Sequence, residues 1–234
     1  MLLAPLAAAQ VDPQAAALLE GIAATYVMPT TSLDHLMVMT VYVNGQEIGG
    51  WTRTIIDFAG HRAATITESM GMAISSVYQN DQVSMTMNGA ASQPQPGVRQ
   101  SLEALLQPLS WVGLREGDTA TFDGHWSYAD ASSGENLVAG DRVSITSAVV
   151  IAGEQRININ RYVFGPAGEV LGYLIEAPAA EPVLFIYDEP HTGGYLPATS
   201  GRSFLPQGEA WQLSTRIEFR DVRIDEPVNE AVFD

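Results

Sequence analysis

The stretch that decides the fold is LMVMTVYVNG, which occupies residues 36–45. Its Val, Thr and Tyr residues favour a β-strand, and Asn44-Gly45 is a strong signal for a tight hairpin turn. Side chains alternate along a strand, so Met37, Met39 and Val41 are expected on one face. The other face is also largely apolar, so the strand needs cover on both sides.

The same pattern continues along the chain in both directions from this hairpin. Short apolar or alternating runs are separated by turn residues such as Ala59-Gly60 and Asn80-Asp81, which is typical of an all-β protein. The further predicted strands are residues 51–58, 63–70, 72–78, 83–87, 119–128, 142–151, 156–164, 170–175, 183–187 and 211–224. Strands adjacent in sequence usually pair, so residues 36–87 predict an antiparallel meander that strand 211–224 joins. The alternation in that last strand slips at Arg220-Asp221, which predicts a β-bulge.

Two amphipathic segments predict helices. Asp12 can cap the first helix, Asp12 to Tyr26, and Pro13 suits its first turn. The second is predicted from Val98 to Leu109. The residues expected to face the sheet are Ala16, Leu19, Ile22, Ala23, Leu102, Leu105 and Leu106. The pattern as a whole predicts one β-dominated domain over residues 10–234, with about ten strands in a strongly curved sheet.

Charge excludes several classes of partner. The chain carries 27 Asp and Glu against 11 basic residues, all of them Arg, for a net charge of −16. Nucleic-acid binding needs clustered cations, and so does electrostatic anchoring on anionic lipid, so neither is expected. There is no Cys, which excludes disulfides, thiol nucleophiles and a lipidated cysteine.

The first nine residues, MLLAPLAAA, resemble the end of a secretory signal peptide. Ala7 and Ala9 fit an Ala-x-Ala cleavage site before Gln10, although a basic n-region is missing. Residues 1–9 are therefore predicted to be a signal-peptide remnant, and the protein to be periplasmic or secreted. No later run approaches the ~20 apolar residues of a membrane-spanning helix.

No catalytic or metal-binding motif is apparent. His35, His61, His125 and His191 form none of the pairs that hold zinc, and the absence of Lys excludes Schiff-base chemistry. Acidic residues are abundant, so isolated carboxylates indicate no paired catalytic site. We therefore expect a protein that is not an enzyme and that needs no metal or cofactor.

Methionine is the positive signal, because six of the eight Met residues lie within residues 37–87. Met is flexible and polarisable, so it suits a surface that adapts to varied apolar ligands, but it also packs well in an ordinary core. Composition leaves both interpretations open. The residues expected to line a hydrophobic cavity are Met37, Met39, Val41, Trp51, Met70, Met72, Met85, Met87, Trp211 and Leu213.

The order of these features resembles the periplasmic lipoprotein-carrier (LolA-like) superfamily, which includes outer-membrane lipoprotein-sorting proteins. The likeness covers about 200 residues and rests on degenerate motifs. They are an Ala-rich helix after the signal peptide, Gly-His-Arg at 60–62, Leu205-Pro206 before the last strand, and an ending over 217–233 with a proline-containing tail that closes on Phe. The resemblance implies an unclosed antiparallel barrel whose mouth is covered by helices, with a hydrophobic cavity for acyl chains.

The function that the resemblance implies is that of an exported soluble carrier of a lipid, an acyl chain or a lipoprotein. Envelope membrane proteins would then be its donors or acceptors. The alternative is an envelope interaction or sensor module whose cavity is small or filled and which transports no ligand. Arg62 lies where the family has an Arg-Pro pair whose Arg latches the lid, so Arg62 is the candidate latch, although Ala63 replaces the proline.

Overall fold

The computed structural model describes residues 10–95, 97–106, 114, 117–151, 154–178 and 180–233. The predicted signal-peptide remnant at residues 1–9 lies outside these ranges. The chain divides into two compact units, which we call the first unit (Met1–Val27 with Ser110–Ser214) and the second unit (Met28–Leu109 with Thr215–Asp234). The single domain expected from the sequence stays a prediction.

The described residues are predominantly β, with fourteen strands and two α-helices. The helices are α1 (Pro13–Thr25) and α2 (Val98–Leu105), and a 3₁₀ turn spans Glu230–Val232. The strands are β1 (Gln10–Val11), β2 (Ser32–Val43), β3 (Gln46–Asp57), β4 (Arg62–Ser69), β5 (Met72–Gln79), β6 (Gln82–Met87), β7 (Ala90–Ser92), β8 (Thr119–Ala129), β9 (Asn136–Ile151), β10 (Glu154–Phe164), β11 (Val170–Glu176), β12 (Val183–Asp188), β13 (Ser200–Gln207) and β14 (Ala210–Ile224).

The prediction of about ten strands is wrong in number, because three strands were not expected. The strands β1 and β7 have two and three residues, too few to show an alternating pattern. The third, β13, contains Gly201 and Pro206, which are usually signs of a loop. Gly201 is required there, since a Cβ atom at this position would lie 2.5 Å from the ring of Phe185.

The pairing of the strands follows the chain. The order in the first unit is β1-β8-β9-β10-β11-β12-β13-β14, and in the second unit it is β14-β2-β3-β4-β5-β6-β7. The strand β14 occurs in both because its residues up to Ser214 belong to the first unit. The antiparallel meander from β2 to β6 and the pairing of β14 with β2 confirm the predicted topology. The barrel curvature implied by the resemblance stays a prediction.

The predicted bulge in β14 is confirmed. The register between β14 and β2 shifts between Arg220 and Arg223, and Asp221 adopts a left-handed conformation with φ 50°. The extra residue restores the alternation, so Ile224 pairs with Leu33 and continues the apolar face of the strand.

The first helix begins as predicted. The side chain of Asp12 accepts hydrogen bonds from the backbone N–H groups of Gln14 (2.8 Å) and Ala15 (3.2 Å), and Pro13 occupies the first turn. Among the described side chains of α1 and its C-terminal cap, the buried ones are Ala15, Leu19, Ile22 and Tyr26; the side chain of Ala23, also predicted to face the sheet, lies outside the description. Ala15 therefore replaces Ala16, which is only half-buried, on the packed stripe. None of the helices in the described ranges is long and apolar enough to span a bilayer.

The second helix is shorter than predicted within the described residues, ending at Leu105, and residues 107–113 lie outside them. Leu102 is 1% exposed and packs with Ala63 of β4 and Tyr78 of β5. Leu105 is only half-buried. Val98, Leu105 and Leu106 are partly buried and pack against the same cluster, so the apolar stripe of the helix lies on one face of the second unit's sheet.

Candidate functional site

The pairing of the strands decides which side chains of the second unit share a face. Met37 of β2 lies opposite Thr52, and Thr52 lies opposite Thr67. Thr67 in turn pairs with Ile74, and Ile74 pairs with Met87 of β6. Directly opposed residues in an antiparallel sheet point to the same face. Met37 and Met87 therefore share one face, although three strands lie between β2 and β6.

The other strand methionines lie on this face as well. Met39 pairs with Gly50, Gly50 with Ser69, and Ser69 with Met72, while Met85 pairs with Ser76 two rows further along. We call this surface the methionine face. Its apolar members include Met37, Met39, Val41, Met72, Met85 and Met87, with Ile217 and Phe219 from β14. Met85 is buried, whereas Met37, Met39 and Met87 are half-buried.

The opposite face carries the charges, and we call it the charged face. The Asp, Glu and Arg residues of strands β2 to β6 all lie there, and the structure describes these strands completely: Asp34, Glu47, Arg53, Asp57, Arg62 and Glu68. The strand β14 adds Arg216, Glu218, Arg220 and Arg223 to the same face. The methionine face of β2 to β6 therefore carries no Asp, Glu or Arg side chain.

A pocket of about 440 Å³ lies on the methionine face beneath α2. Its size falls within the range of about 300–1,000 Å³ that is usual for small-molecule sites. The helix supplies one wall and strands β3, β4 and β5 supply the other. The lining residues are Thr54, Thr65, Ser76, Gly97, Val98, Ser101, Leu102 and Leu105.

A row of hydroxyl groups forms the strand side of this pocket. Thr54 pairs with Thr65, and Thr65 pairs with Ser76, so the three side chains stand side by side across the sheet. We call Thr54, Thr65 and Ser76 the hydroxyl row. In the part of the chain that the structure describes, their hydroxyls make no hydrogen bond, unlike Thr52 and Thr67 one row away, whose oxygens are 3.0 Å apart.

His35 extends the hydroxyl row by one strand, because it pairs with Thr54. Its Nδ1 atom is buried and has no hydrogen-bond partner among the described residues. Burial lowers the pKa of His35, and the nearby charge of Asp34 opposes this effect only in part. The imidazole is therefore neutral at ordinary pH and leaves one polar atom unsatisfied at this end of the row.

Two of the predicted cavity residues of the second unit, Trp51 and Met70, do not lie on the methionine face. Trp51 pairs with Val38 and Glu68, which puts it on the charged face, half-buried. Met70 occupies the turn between β4 and β5, where its φ is 52° and 76% of it is exposed. The alternation within a strand was correct, but the register between strands separates Trp51 from the methionines.

Trp211 and Leu213 belong to the part of β14 that lies in the first unit. Both pack against a hydrophobic cluster of that unit, and the rings of Trp211 and Tyr128 meet edge to face with centroids 5.9 Å apart. The cluster contains Tyr128, Val138, Val163, Leu174, Leu184, Ile186 and Phe204. These two residues are thus part of the packing of the first unit.

The sequence analysis missed an aromatic cluster on the first unit. Tyr162 pairs with Tyr173, and Tyr173 pairs with Phe185, so the three rings share one face of β10, β11 and β12. The Tyr173 and Phe185 rings stack with centroids 5.3 Å apart, and Tyr187 meets Phe185 edge to face at 4.9 Å. Burial raises the pKa of Tyr173 to about 12. The sequence signal for this cluster was that Phe185 and Tyr187 are two residues apart, which puts both rings on the same face of β12.

Arg62 fastens the C-terminal segment to the charged face. Its Nε donates to Asp57 (2.8 Å), a terminal nitrogen donates to Glu230 (2.7 Å), and its guanidinium lies 4.4 Å from the centre of the Phe233 ring. Phe233 in turn packs with Ile55 and with other apolar residues of this face. These contacts hold the C-terminal segment, and the role of Arg62 as a lid latch, which the resemblance implied, stays a prediction.

Within the described ranges, no group of three or more His, Asp or Glu side chains is placed to hold a metal ion. Arg53, Arg62 and Arg220 of the charged face are used in ion pairs. Arg53 makes two hydrogen bonds to Asp34, at 2.8 and 2.6 Å, and these bonds raise the pKa of Arg53. The chemistry that the methionine face offers is therefore apolar contact and neutral hydrogen bonding.

The comparisons with known proteins agree with this architecture. No family model matches the sequence, and no curated protein matches it significantly. Among solved structures, a LolA superfamily protein from Nitrosomonas europaea superposes with a TM-score of 0.53 at 11% identity, covering 94% of this chain and 97% of the other. An outer membrane lipoprotein-sorting protein domain from Vibrio parahaemolyticus gives 0.50 at 9% identity, with 94% and 96% covered. The chain has the LolA-like fold.

Proposed function

We propose that this protein is an exported carrier that holds an acyl chain of a lipid or a lipoprotein against the methionine face, with one end of the chain in the pocket beneath α2. The observation that carries the proposal is the segregation of charge. Strands β2 to β6 present methionines and hydroxyls on one face and all their carboxylates and guanidinium groups on the other. A sheet face without charges, next to a pocket of about 440 Å³, suits an apolar chain.

The partial exposure of the methionines supports a binding surface over a filled core. Met85 is buried, as a core residue would be, but Met37, Met39 and Met87 remain half-exposed. Each methylene group that an acyl chain moves out of water contributes about 0.8 kcal/mol. A chain of roughly ten methylenes would thus gain about 8 kcal/mol, which offsets much of the cost of immobilising it.

The fold supports the same proposal in a general way. One of the two similar structures is a lipoprotein-sorting domain from an outer membrane system, and the other is a member of the LolA superfamily. We propose by analogy that this chain acts in the cell envelope after export, and that envelope membrane proteins load and unload it. It would act without catalysis, metal or cofactor.

The experiment that tests the proposal is native mass spectrometry of the exported, purified protein, followed by extraction of whatever is bound. We expect an acyl lipid bound close to one per chain. A refolded, delipidated sample should bind an uncharged fluorescent acyl ester saturably. A protein that carries no lipid and binds no acyl probe would favour the alternative, an interaction or sensor module without a transported ligand.

A further inference from the structure

We propose that the pocket beneath α2 selects uncharged acyl esters, and that the hydroxyl row forms the hydrogen bonds to the ester group. This inference rests on the proposed function and deepens it by naming the chemical class of the ligand's polar end. The ligand would be an acylglycerol or a similar neutral ester. An ionised fatty acid or a phosphate-bearing lipid with the same chain would bind less well.

The residues that line the pocket offer no cation to an anionic group. None of the residues that line the pocket is charged. The nearest Arg on the helix, Arg99, is more than half exposed and donates to Glu103 at 2.7 Å. Arg53 lies on the charged face and is bound to Asp34. Burying a carboxylate or a phosphate without a partner is far more costly than burying a neutral polar group.

The pocket also has a supply of unused hydroxyls. Thr54 and Ser76 are buried residues, yet both line the pocket, and their hydroxyls have no hydrogen-bond partner among the described residues. Adjacent strands are about 4.8 Å apart, so three hydroxyls in a row span roughly 10 Å. Ser101 of α2 adds a fourth hydroxyl on the helix side of the pocket.

These hydroxyls match the polar end of an acyl ester. An ester oxygen only accepts hydrogen bonds, and a hydroxyl can turn to donate to it. A glycerol hydroxyl both donates and accepts, so it can also bond to the row. Hydroxyls that face a pocket without a protein partner are free to bond to the oxygens of a ligand, and a ligand that displaces water from them must replace those hydrogen bonds. A purely apolar ligand would leave Thr54, Thr65 and Ser76 unsatisfied.

His35 fits the same class of ligand. It continues the row beyond Thr54, and its Nδ1 is a further polar atom without a partner among the described residues. Because the ring packs against Phe219 and burial lowers its pKa, it supplies a neutral polar group and no positive charge. The row as a whole therefore offers hydrogen bonds without charge.

The test is a competition assay in which oleoyl ligands displace a fluorescent acyl ester from the full-length protein. The ligands share one chain and differ in the polar end: monooleoylglycerol, methyl oleate, oleate at about pH 8, where its carboxyl is ionised, and oleoyl lysophosphatidylglycerol. We expect the two neutral esters to bind at least about tenfold more tightly than the two anions.

Variants identify the residues responsible. Thr65→Val removes the central hydroxyl with almost no change in shape and should weaken the binding of monooleoylglycerol by roughly fivefold. Thr67→Val is the matched control, since Thr67 lies on the same face outside the pocket. It should leave unchanged the ratio of the affinities for monooleoylglycerol and oleate. Ser101→Arg places a cation on the helix wall of the pocket and should increase the affinity for oleate by about tenfold.

The outcomes separate the inference from the proposed function. If oleate displaces the probe as well as monooleoylglycerol does, and Thr65→Val leaves their ratio unchanged, the inference is overturned and the carrier proposal stands. If no oleoyl ligand displaces the probe, or the probe itself does not bind, the carrier proposal fails. Thermal melting of each variant separates loss of binding from loss of folding.

Discussion

The imidazole of His35 meets the ring of Phe219 edge to face, with ring centroids 5.8 Å apart and an interplanar angle of 66°. The contact joins β2 to β14 on the methionine face of the second unit. Burial lowers the pKa of His35, and the charge of Asp34 opposes this effect in part. The Nδ1 atom on the same ring remains without a hydrogen-bond partner among the described residues.

The first prediction concerns the pH dependence of stability. In the unfolded chain His35 has a pKa of about 6.5, and in the folded protein the value is lower, so between these values the unfolded state binds more protons. The free energy of unfolding should therefore fall as the pH drops below about 6.5, by at most about 1.4 kcal/mol per pH unit from this residue. Urea unfolding at about pH 8, 6.5 and 5 measures the slope.

The variant His35→Gln is the comparison for this prediction. Glutamine does not titrate, so the part of the slope below about pH 6.5 that comes from His35 should disappear. His125 is largely exposed and offers the same substitution at the surface, so His125→Gln should change the free energy of unfolding by no more than about 0.5 kcal/mol. Identical pH profiles for the wild type and His35→Gln would show that another group causes the acid sensitivity.

The second prediction concerns the C-terminal segment. Arg62→Gln removes the ion pairs to Asp57 and Glu230 and the cation–π contact with Phe233. We expect a loss of about 2 kcal/mol in the free energy of unfolding, because Asp57 is buried and loses a charged hydrogen-bond partner. Hydrogen exchange of residues 228–233 should become faster, and urea unfolding gives the change in stability.

The control for Arg62→Gln is Arg220→Gln. Arg220 pairs with Glu218 on the same charged face, but both side chains are about half exposed, so the pair should contribute little. The two variants remove the same charge and differ only in what the guanidinium holds. Equal exchange rates in residues 228–233 for both variants would mean that Phe233 stays in place without Arg62.

The sequence predicted the meander because alternation and turn residues are local properties. It failed for Trp51, although the signal was present in the hairpin. A two-residue turn at Asn44-Gly45 pairs Val43 with Gln46, and counting back along both strands pairs Val38 with Trp51. Register set by the turn therefore assigns Trp51 to the charged face. Alternation within one strand does not show which residues of the neighbouring strand point to the same face, because that depends on the register between the two strands.

The hydroxyl row could not be predicted in the same way. Its three residues are ordinary Thr and Ser positions in the sequence, and they become neighbours only through two successive registers, between β3 and β4 and between β4 and β5. The position of α2 over them depends on Leu102, Ala63 and Tyr78, which are far apart in the chain. Local patterns predicted the apolar spacing of the helix but not the face that it covers.

The third prediction tests the packing of α2. Leu102 is 1% exposed and contacts Ala63 and Tyr78, so Leu102→Ala should cost about 2–5 kcal/mol of unfolding free energy. Leu105→Ala, at the half-buried edge of the pocket, should cost less, because fewer neighbours surround the side chain. Chemical denaturation measures both. Equal costs at the two positions would mean that the helix is held as firmly at its end as at its centre.

The fourth prediction separates a ligand-binding surface from a filled core, and it compares two methionines with different surroundings. Met39 lies half-buried on the methionine face, whereas Met70 lies exposed in the turn between β4 and β5. Met39→Gln places an amide where an acyl chain would lie, so affinity for an uncharged fluorescent acyl ester should fall by about tenfold. Met70→Gln makes the same chemical change in water and should leave the affinity unchanged.

Stability measured on the same variants completes this test, with Met85→Ala as the reference for a packed site. Met85 is 5% exposed, so Met85→Ala should cost about 2–5 kcal/mol of unfolding free energy. Met39→Ala should cost clearly less, because the side chain is open on one side and loses fewer contacts. If Met39→Ala costs as much as Met85→Ala, and Met39→Gln binds the probe as the wild type does, Met39 is a core residue, and the acyl chain cannot lie against it.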